Sequence, residues 1–477
     1  MTTPSSNTPI RLLAISTYEL GQQPLVLARI AAILNSAGIE YSLCDNSVDK
    51  RTFTRLEDFL LEDQMPPTHL IISVPMHTAT QLARAIADRA RRLFGDSITI
   101  IALGLYSKVA LASSSSFDQA VASGNRGEIL SAIGVDPQST TQKNETNLIP
   151  DRSKLPGLAN YAHLIEGVEQ KVVGYVESTI GCAHECLHCP VPVVFGGRFK
   201  AVPLQTVLAQ INELYQNGAR HITFGDPDFL NGPMHALRIA RAMNAAHPDL
   251  TFDATVKVEH VLENRWIWDE LSTLCLKFIV SAFEHTSDEI LKRLGKGHTR
   301  SDILEALSLL RQKGIEVRPS LMPFTPWTTR ENLLDLVEFL FENQLVNSVD
   351  PVQLTIRLLV PLGSLVLGEA DIEFGPWNPE ALSYEWHSSD PAIDDLQQKL
   401  ASIAEDAECD DLDPFTVFSL MREAIYRRFN MPAPPHRSIP TCESKPRLTE
   451  SWFCCAEPTK SQTNQLGSPS EVGCQGQ

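Results

Sequence analysis

The sequence predicts an α/β protein in three parts: a Rossmann-like, doubly wound domain over 1–150, a partial (β/α)6 barrel over 151–370, and a helical extension with a thiol-bearing tail over 371–477. Three observations predict this. Short apolar runs alternate with amphipathic stretches along most of the 477 residues, the pattern of parallel sheets joined by helical crossovers. The chain exceeds one ordinary domain, and its 43% hydrophobic content can fill more than one core. A polar stretch over 104–170, containing Ser113–Ser116 and the run Asp136 to Asn147, separates two sets of repeats and reads as a connector.

In the first set, Ile10 to Ile15 is strand-like and Leu25 to Leu34 carries helical periodicity ending near Gly38. Tyr41 to Cys44, His69 to Val74 and Ile98 to Leu103 are further strands, and Thr80 to Leu93 is a helix. The second set offers six strands: Val172–Glu177, His221–Phe224, Thr251–Val256, Lys277–Ala282, Glu316–Met322 and Gln353–Val360. Helices are expected at Leu204–Gln216, Pro233–Ala246, Asn264–Cys275, Ser301–Lys313 and Thr329–Glu342. Six such repeats make a curved parallel sheet whose active site lies at the carboxyl ends of its strands. Two more helical patterns, Ala392–Asp406 and Phe415–Phe429, precede a Pro-rich link from Pro432 to Pro440.

At the end of the first barrel strand stands Gly181-Cys182-Ala183-His184-Glu185-Cys186-Leu187-His188-Cys189-Pro190. Three thiolates so closely spaced can hold a cuboidal iron–sulfur cluster and leave one iron without a protein ligand. The competing readings are a structural zinc site or three unrelated buried cysteines. Zinc usually takes a fourth Cys or His at short spacing, and although His184 and His188 are close, no second C-x-x-C pair follows.

The C-x3-C-x2-C triplet resembles that of the radical S-adenosylmethionine (SAM) superfamily. The resemblance implies a [4Fe–4S] cluster on Cys182, Cys186 and Cys189, with SAM chelating the fourth iron. It also implies SAM contacts at other strand ends. Gly225 and either Asp226 or Asp228 stand where the superfamily has a Gly-Gly-Glu or an acidic variant, although Asp-Pro is also a turn former. Glu284, and more weakly Ser281, match a position that contacts the SAM ribose or amino group. Arg318 is a candidate partner of the SAM carboxylate or of an internal carboxylate, and the His188 backbone is expected near adenine. The N-terminal part resembles the cobalamin-binding domain fused ahead of such barrels. In the stretch Ser16 to Gly21, however, Ser16 and Tyr18 replace the motif's Asp and cobalt-ligating His, so cobalamin is expected to be unlikely.

The ending Cys454-Cys455-Ala456-Glu457-Pro458 resembles the signature of the CCAEP/CUAEP-tail radical SAM proteins. That likeness implies transfer of the 3-amino-3-carboxypropyl group of SAM to trivalent inorganic arsenic, giving hydroxyarsinothricin and methylthioadenosine. Cys454 and Cys455, helped by Cys442, would hold arsenite as a thiolate complex, and a flavodoxin or ferredoxin would supply electrons. The plainer readings of the pair are a vicinal disulfide, chance packing, or ligands to zinc or a second cluster.

A formal charge of −18 argues against a nucleic-acid surface, which would need clustered Lys and Arg, and the short cluster Arg89, Arg91 and Arg92 reads as the solvated face of a helix. No apolar span is long enough to cross a bilayer, no secretory signal is apparent, and ten scattered cysteines do not suggest a disulfide scaffold. The expected location is therefore the cytoplasm. Two other functions stay open: a radical SAM enzyme using a 5′-deoxyadenosyl radical on an unknown small molecule, and a non-enzymatic iron–sulfur or metalloid-binding protein.

Overall fold

The computed structural model describes residues 9–49, 56–57, 65–139, 145–369, 372–410, 412–435 and 445–449. They fall into two compact units, one running to Asn160 and the other starting at Tyr161.

The first unit is a parallel sheet of β1 (Arg11–Ser16), β2 (Glu40–Asp45), β3 (His69–Ser73), β4 (Thr99–Leu103) and β5 (Gln119–Val121), in the order β2-β1-β3-β4-β5. Leu12 to Ile15 and Leu70 to Ile72 are buried without alternation, as strands covered by helices on both faces must be. Helices α1 (Leu25–Ser36) and α2 (His77–Phe94) pack on this sheet. Part of the expected connector is instead structural. Helices α3 (Ser107–Ser113) and α4 (Arg126–Ala132) flank β5 and complete the sheet. The serine run misled because its hydroxyls serve as internal donors: Ser114 and Ser116 both donate to Asp88 of α2, at 2.7 and 2.6 Å.

Two short strands, β14 (Trp377–Asn378) and β15 (Ser383–Tyr384), pair with each other, and the second unit is otherwise a seven-stranded sheet that ends on β6 (His163–Glu166) and β16 (Arg447–Leu448), in the order β13-β12-β11-β10-β7-β6-β16. Its parallel part comprises β7 (Glu169–Val176), β10 (His221–Phe224), β11 (Thr251–Thr255), β12 (Leu276–Glu284) and β13 (Glu316–Leu321). A small antiparallel pair, β8 (Thr179–Gly181) and β9 (Phe199–Ala201), follows β7. The crossovers include α5 (Leu204–Gln216), α6 (Pro233–Ala246), α7 (Arg300–Gln312) and α8 (Arg330–Glu342). Thr299 and Thr329 start the last two with full capping boxes.

Two expectations change here. The helix expected over Asn264–Cys275 is replaced by short helices at Val258–Glu263 and Trp268–Leu271. The Trp268 indole is fully buried and donates to the Val261 carbonyl at 2.9 Å, which fixes the bend between them. The sixth strand shrinks to one bridge, Arg357 to Phe324, after a 3-10 turn at Pro351–Thr355. Gln353 explains the loss, since its side-chain oxygen accepts the Leu321 N–H at 2.8 Å where a sixth strand's carbonyl would do so.

The other edge is closed by the C-terminal segment. Strand β6 (His163–Glu166) pairs antiparallel with both β7 and β16 (Arg447–Leu448). Just before β16, Lys445 pairs with Glu316 at 2.7 Å and the Pro446 carbonyl accepts from Arg318 at 3.4 Å. Residues 445–447 thus span from β13 to β6, the two ends of the barrel sheet.

Candidate functional site

The cysteine loop sits between β8 and a short helix at Pro190–Phe195. Cys182 and Cys186 are buried and Cys189 is partly so; all three are thiols rather than disulfides. Burial pushes the Cys182 thiol up to about 11, so a thiolate there needs a metal cation to carry its charge. With Cys186 and Cys189 on the same loop, the three sulfurs are a soft donor set that fits an iron–sulfur cluster.

Gly181 opens the loop at φ 90°, and a Cβ there would lie 2.4 Å from the Arg198 carbonyl oxygen. Asn231 holds the loop from the next strand end. It accepts the Ala183 N–H at 3.0 Å and donates to the Gly181 carbonyl at 3.2 Å. The loop's other face meets Gly-Lys-Gly at 295–297, where the Leu187 N–H donates to the Leu294 carbonyl at 3.0 Å.

The acidic residues after β10 have distinct places. Asp226 is buried and accepts from the Ser178 N–H, the Ser178 hydroxyl and the Thr179 hydroxyl, at 2.9, 2.8 and 2.6 Å. Burial raises its carboxyl to about 6. It ties the β7–β8 turn, and hence the loop entrance, to β10. Gly225 is small because Tyr175 lies against it: a Cβ would come 1.9 Å from the phenol oxygen. Asp228 accepts the Leu230 and Lys257 N–H groups at 2.8 and 3.2 Å. It also meets His184 Nε2 and His260 Nδ1 at 3.3 and 3.0 Å. Burial alone would raise its carboxyl, but the two imidazoles hold it below the ordinary range.

Glu284 ends β12 at φ 59°, a left-handed conformation in a non-glycine residue, where the register with β13 shifts. Backbone strain of this kind is typically held in place by function. Its carboxylate is buried, 3.0 Å from Lys296 Nζ and 3.3 Å from His188 Nε2. Burial would raise this carboxyl, yet the Lys296 ammonium and His188 hold it far below the carboxylate range. His188 Nδ1 is buried with no hydrogen-bond partner among the described residues, an orphaned group at the place where SAM is expected. Ser281 donates to the Val256 carbonyl at 2.8 Å and so joins β12 to β11.

Cys182, Cys186, Cys189, His188, Asp228 and Glu284 therefore gather at the carboxyl strand ends. Arg318 does not. It lies in the first half of β13, paired with Asp350 at 3.2 Å and bonded to the tail, the internal pairing that competed with the SAM carboxylate. Cys442, Cys454 and Cys455 lie outside the described residues. Sequence reasoning missed Lys257, His260 and Lys296. Lys296 left one signal, a cation between two glycines. Gly295 and Gly297 have φ of 64° and 73°, and a Cβ at Gly297 would lie 2.7 Å from the Glu259 carboxylate.

Comparison with known proteins agrees with this geometry. Residues 176–340 match the Radical SAM superfamily, so this stretch is a radical SAM domain. The ribosomal protein uS12 methylthiotransferase RimO of Chloroherpeton thalassium is 25% identical over 184 residues, 36% of this chain and 41% of that protein. A putative methylthiotransferase of Methanocaldococcus jannaschii is 23% identical over 252 residues, 50% of this chain and 51% of that one. The chain thus spans about half the length or less of these curated relatives.

Among solved structures, the cobalamin-dependent SAM radical enzyme OxsB, with aqua-cobalamin and SAM bound, aligns at TM-score 0.62 and 12% identity. The alignment covers 88% of this chain and 72% of OxsB. The radical SAM methyltransferase TsrM of Kitasatospora setae, with cobalamin and a [4Fe–4S] cluster bound, aligns at TM-score 0.54 and 18% identity, covering 71% and 74%. The fold is shared. These likenesses overturn the expectation that cobalamin is unlikely, because both similar structures hold it. Ser16 and Tyr18 bear only on a lower axial ligand, and an absent imidazole does not by itself prevent the corrin from binding.

Proposed function

Given a radical SAM domain over residues 176–340, we propose that this protein transfers the 3-amino-3-carboxypropyl group of SAM to trivalent inorganic arsenic, forming hydroxyarsinothricin and methylthioadenosine. The observation that carries the reading is the vicinal pair Cys454–Cys455 in a Cys-Cys-Ala-Glu-Pro ending. Paired thiolates are soft donors that suit arsenic(III). The direction of β16 supports it. Antiparallel to β6, β16 runs the same way as β7, and the Thr449 N–H bonds to the His163 carbonyl, level with Val172. At Thr449, the last described residue, the strand direction therefore points toward the strand ends that carry the cysteine loop. Cys454 stands five positions after Thr449 in the sequence, a span of at most about 18 Å for an extended chain.

A [4Fe–4S] cluster on Cys182, Cys186 and Cys189, when bound, supplies the electron that opens a carbon–sulfur bond of SAM. The residues around it position and shield. Asp226 and Asn231 hold the loop, the His188 backbone flanks adenine, and Glu284 with Lys296 offers opposite charges to the SAM amino and carboxylate groups. Overall, the Cγ–S bond breaks and a carbon–arsenic bond forms. Arsenic passes from trivalent to pentavalent as the sulfonium becomes a thioether, so no net oxidant is needed. A flavodoxin or ferredoxin is the proposed source of the priming electron.

The test is anaerobic reconstitution with SAM, dithionite and arsenite, followed by mass spectrometry of nucleoside and arsenic products. Methylthioadenosine with an arsenic-containing amino acid is expected. Cys454→Ser and Cys455→Ser should keep the cluster but lose the arsenic product; wild-type turnover in both would remove the tail from the mechanism.

The similar structures favour a second reading, a cobalamin-binding radical SAM enzyme acting through a 5′-deoxyadenosyl radical on another small molecule. In the first unit the strand order reverses between β1 and β3, where ligands of such sheets bind beyond the carboxyl ends. Small residues stand there: Ser16, Thr17, Ser73 and Gly104, with Ser107 Oγ buried and without a hydrogen-bond partner among the described residues. Such small strand ends fit a flat macrocycle, with no axial imidazole at position 18. 5′-Deoxyadenosine as product and retention of hydroxocobalamin through gel filtration would select this reading.

A further inference from the structure

Beside the cysteine loop, three donors from three separate segments converge: His184 Nε2 from the loop, Asp228 Oδ2 after β10, and His260 Nδ1 after β11. His184 lies 3.3 Å and His260 3.0 Å from the carboxylate oxygen, and the two imidazole nitrogens are 3.3 Å apart. We propose that these residues form a binding site for a borderline divalent transition metal, zinc or ferrous iron, separate from the cluster and next to it.

The spacing is that of metal ligands. Donors 3.0–3.3 Å apart lie on a circle of about 1.9 Å radius, so an ion about 2.1 Å from each sits about 1 Å above their plane. That is facial capping by two histidines and one carboxylate, with the remaining coordination positions open. The surroundings are arranged to support it. Asp228 is 1% exposed, and its Oδ1 accepts the Leu230 N–H, which fixes the ligating oxygen. The second ring nitrogens both face carboxylates: His184 Nδ1 is 3.8 Å from Glu259, and His260 Nε2 is 3.9 Å from Glu263. Metal-bound histidines commonly present their other N–H to such groups.

Lys257 lies 3.3 Å from His184 Nδ1 and 2.7 Å from Glu259. Ion binding places the proton of His184 on Nδ1, which leaves Lys257 to Glu259 alone. Both imidazoles retain some exposure, at 14% and 13% of the side chain, so an ion can enter and its open positions can take oxygen donors. The nitrogen and oxygen donor set is harder than paired thiolates, so it does not compete with the tail for arsenic(III). Nothing in this site depends on which group SAM donates.

The experiment uses the cluster-loaded protein, passed over a chelator and then dialysed anaerobically against zinc. One zinc per chain beyond the cluster metal is expected, and its K-edge absorption should fit nitrogen and oxygen ligands only. His260→Ala should keep cluster iron, sulfide and the reduced-cluster spectrum while binding zinc more than about 100-fold more weakly, a larger loss than removal of an outer-shell partner gives. Asp228→Asn, which preserves size and the Leu230 contact, should weaken zinc in the same direction. No zinc above the cluster metal, sulfur in the zinc shell, or unchanged affinity in cluster-loaded His260→Ala would each overturn the proposal.

Discussion

Lys296→Met removes the cation facing Glu284 and leaves a carboxylate 9% exposed, with His188 as its remaining ionic neighbour among the described residues. At 3.0 Å, two unit charges in an effective dielectric of about 20 attract by roughly 5 kcal/mol. Orphaning one member of such a buried pair costs about 3–5 kcal/mol. At about 2–4 °C per kcal/mol for a domain of this size, the melting temperature of the barrel unit should drop by roughly 10 °C. The assay is anaerobic thermal unfolding of four proteins: wild type, Lys296→Met, Glu284→Gln and the double variant. The double variant should recover most of the loss, because an uncharged amide beside methionine no longer strands a charge. A single variant within about 1 kcal/mol of wild type, or a double variant no better than Lys296→Met, would refute the claim that this ion pair holds the strained end of β12.

Three further outcomes follow from the same structure. His285 is fully buried and its Nδ1 accepts the Thr286 and Ser287 N–H groups at 2.9 and 3.0 Å, while burial lowers its pKa to about 4. At His285 the folded state therefore binds fewer protons than the unfolded chain between about pH 4 and 6.5, so this residue's contribution to stability falls as pH drops through that window, by about 2 kcal/mol at pH 5. Denaturant titrations of wild type and of His285→Asn, which can still accept an N–H, should differ in their pH dependence by that amount. Gly181→Ala pushes a methyl into the Arg198 carbonyl at positive φ and should cut iron incorporation severalfold while the far-ultraviolet spectrum persists; full cluster loading would mean the loop tolerates the shift. Arg318→Met strands Asp350, whose carboxyl is raised by burial, and should cost about 3 kcal/mol. It should also loosen the Pro446 anchor, read as faster amide exchange at Leu448. Lost SAM affinity with unchanged stability would instead return Arg318 to the SAM site.

Local pattern carried the elements that pack by simple periodicity. Helices at Leu204–Gln216 and Pro233–Ala246 and the strand His221–Phe224 have one clear apolar face or a short buried run, and nothing distant competes with those preferences. The connector and the sixth strand were less legible. There, single side chains replace backbone partners: Asp88 collects the serine hydroxyls, and Gln353 takes the N–H of Leu321. A distant donor or acceptor of that kind leaves no period in the chain.

The candidate site divides the same way. By itself the sequence determined the thiol triplet, because ligands within eight residues of one another need no folding to become neighbours, and it placed that triplet at a strand end where barrels keep their chemistry. Only the tertiary structure decided which charges face which. Glu284 meets Lys296 twelve residues on, Asp228 meets His184 and His260 from either side in sequence, and Arg318 turns to Asp350 and the C-terminal segment. Such pairings are set by where parallel strands end in space, and strand ends are brought together by backbone hydrogen bonds between residues far apart in the chain. That is why a motif could name candidate cluster ligands, while the electrostatics around them waited for the sheet to close.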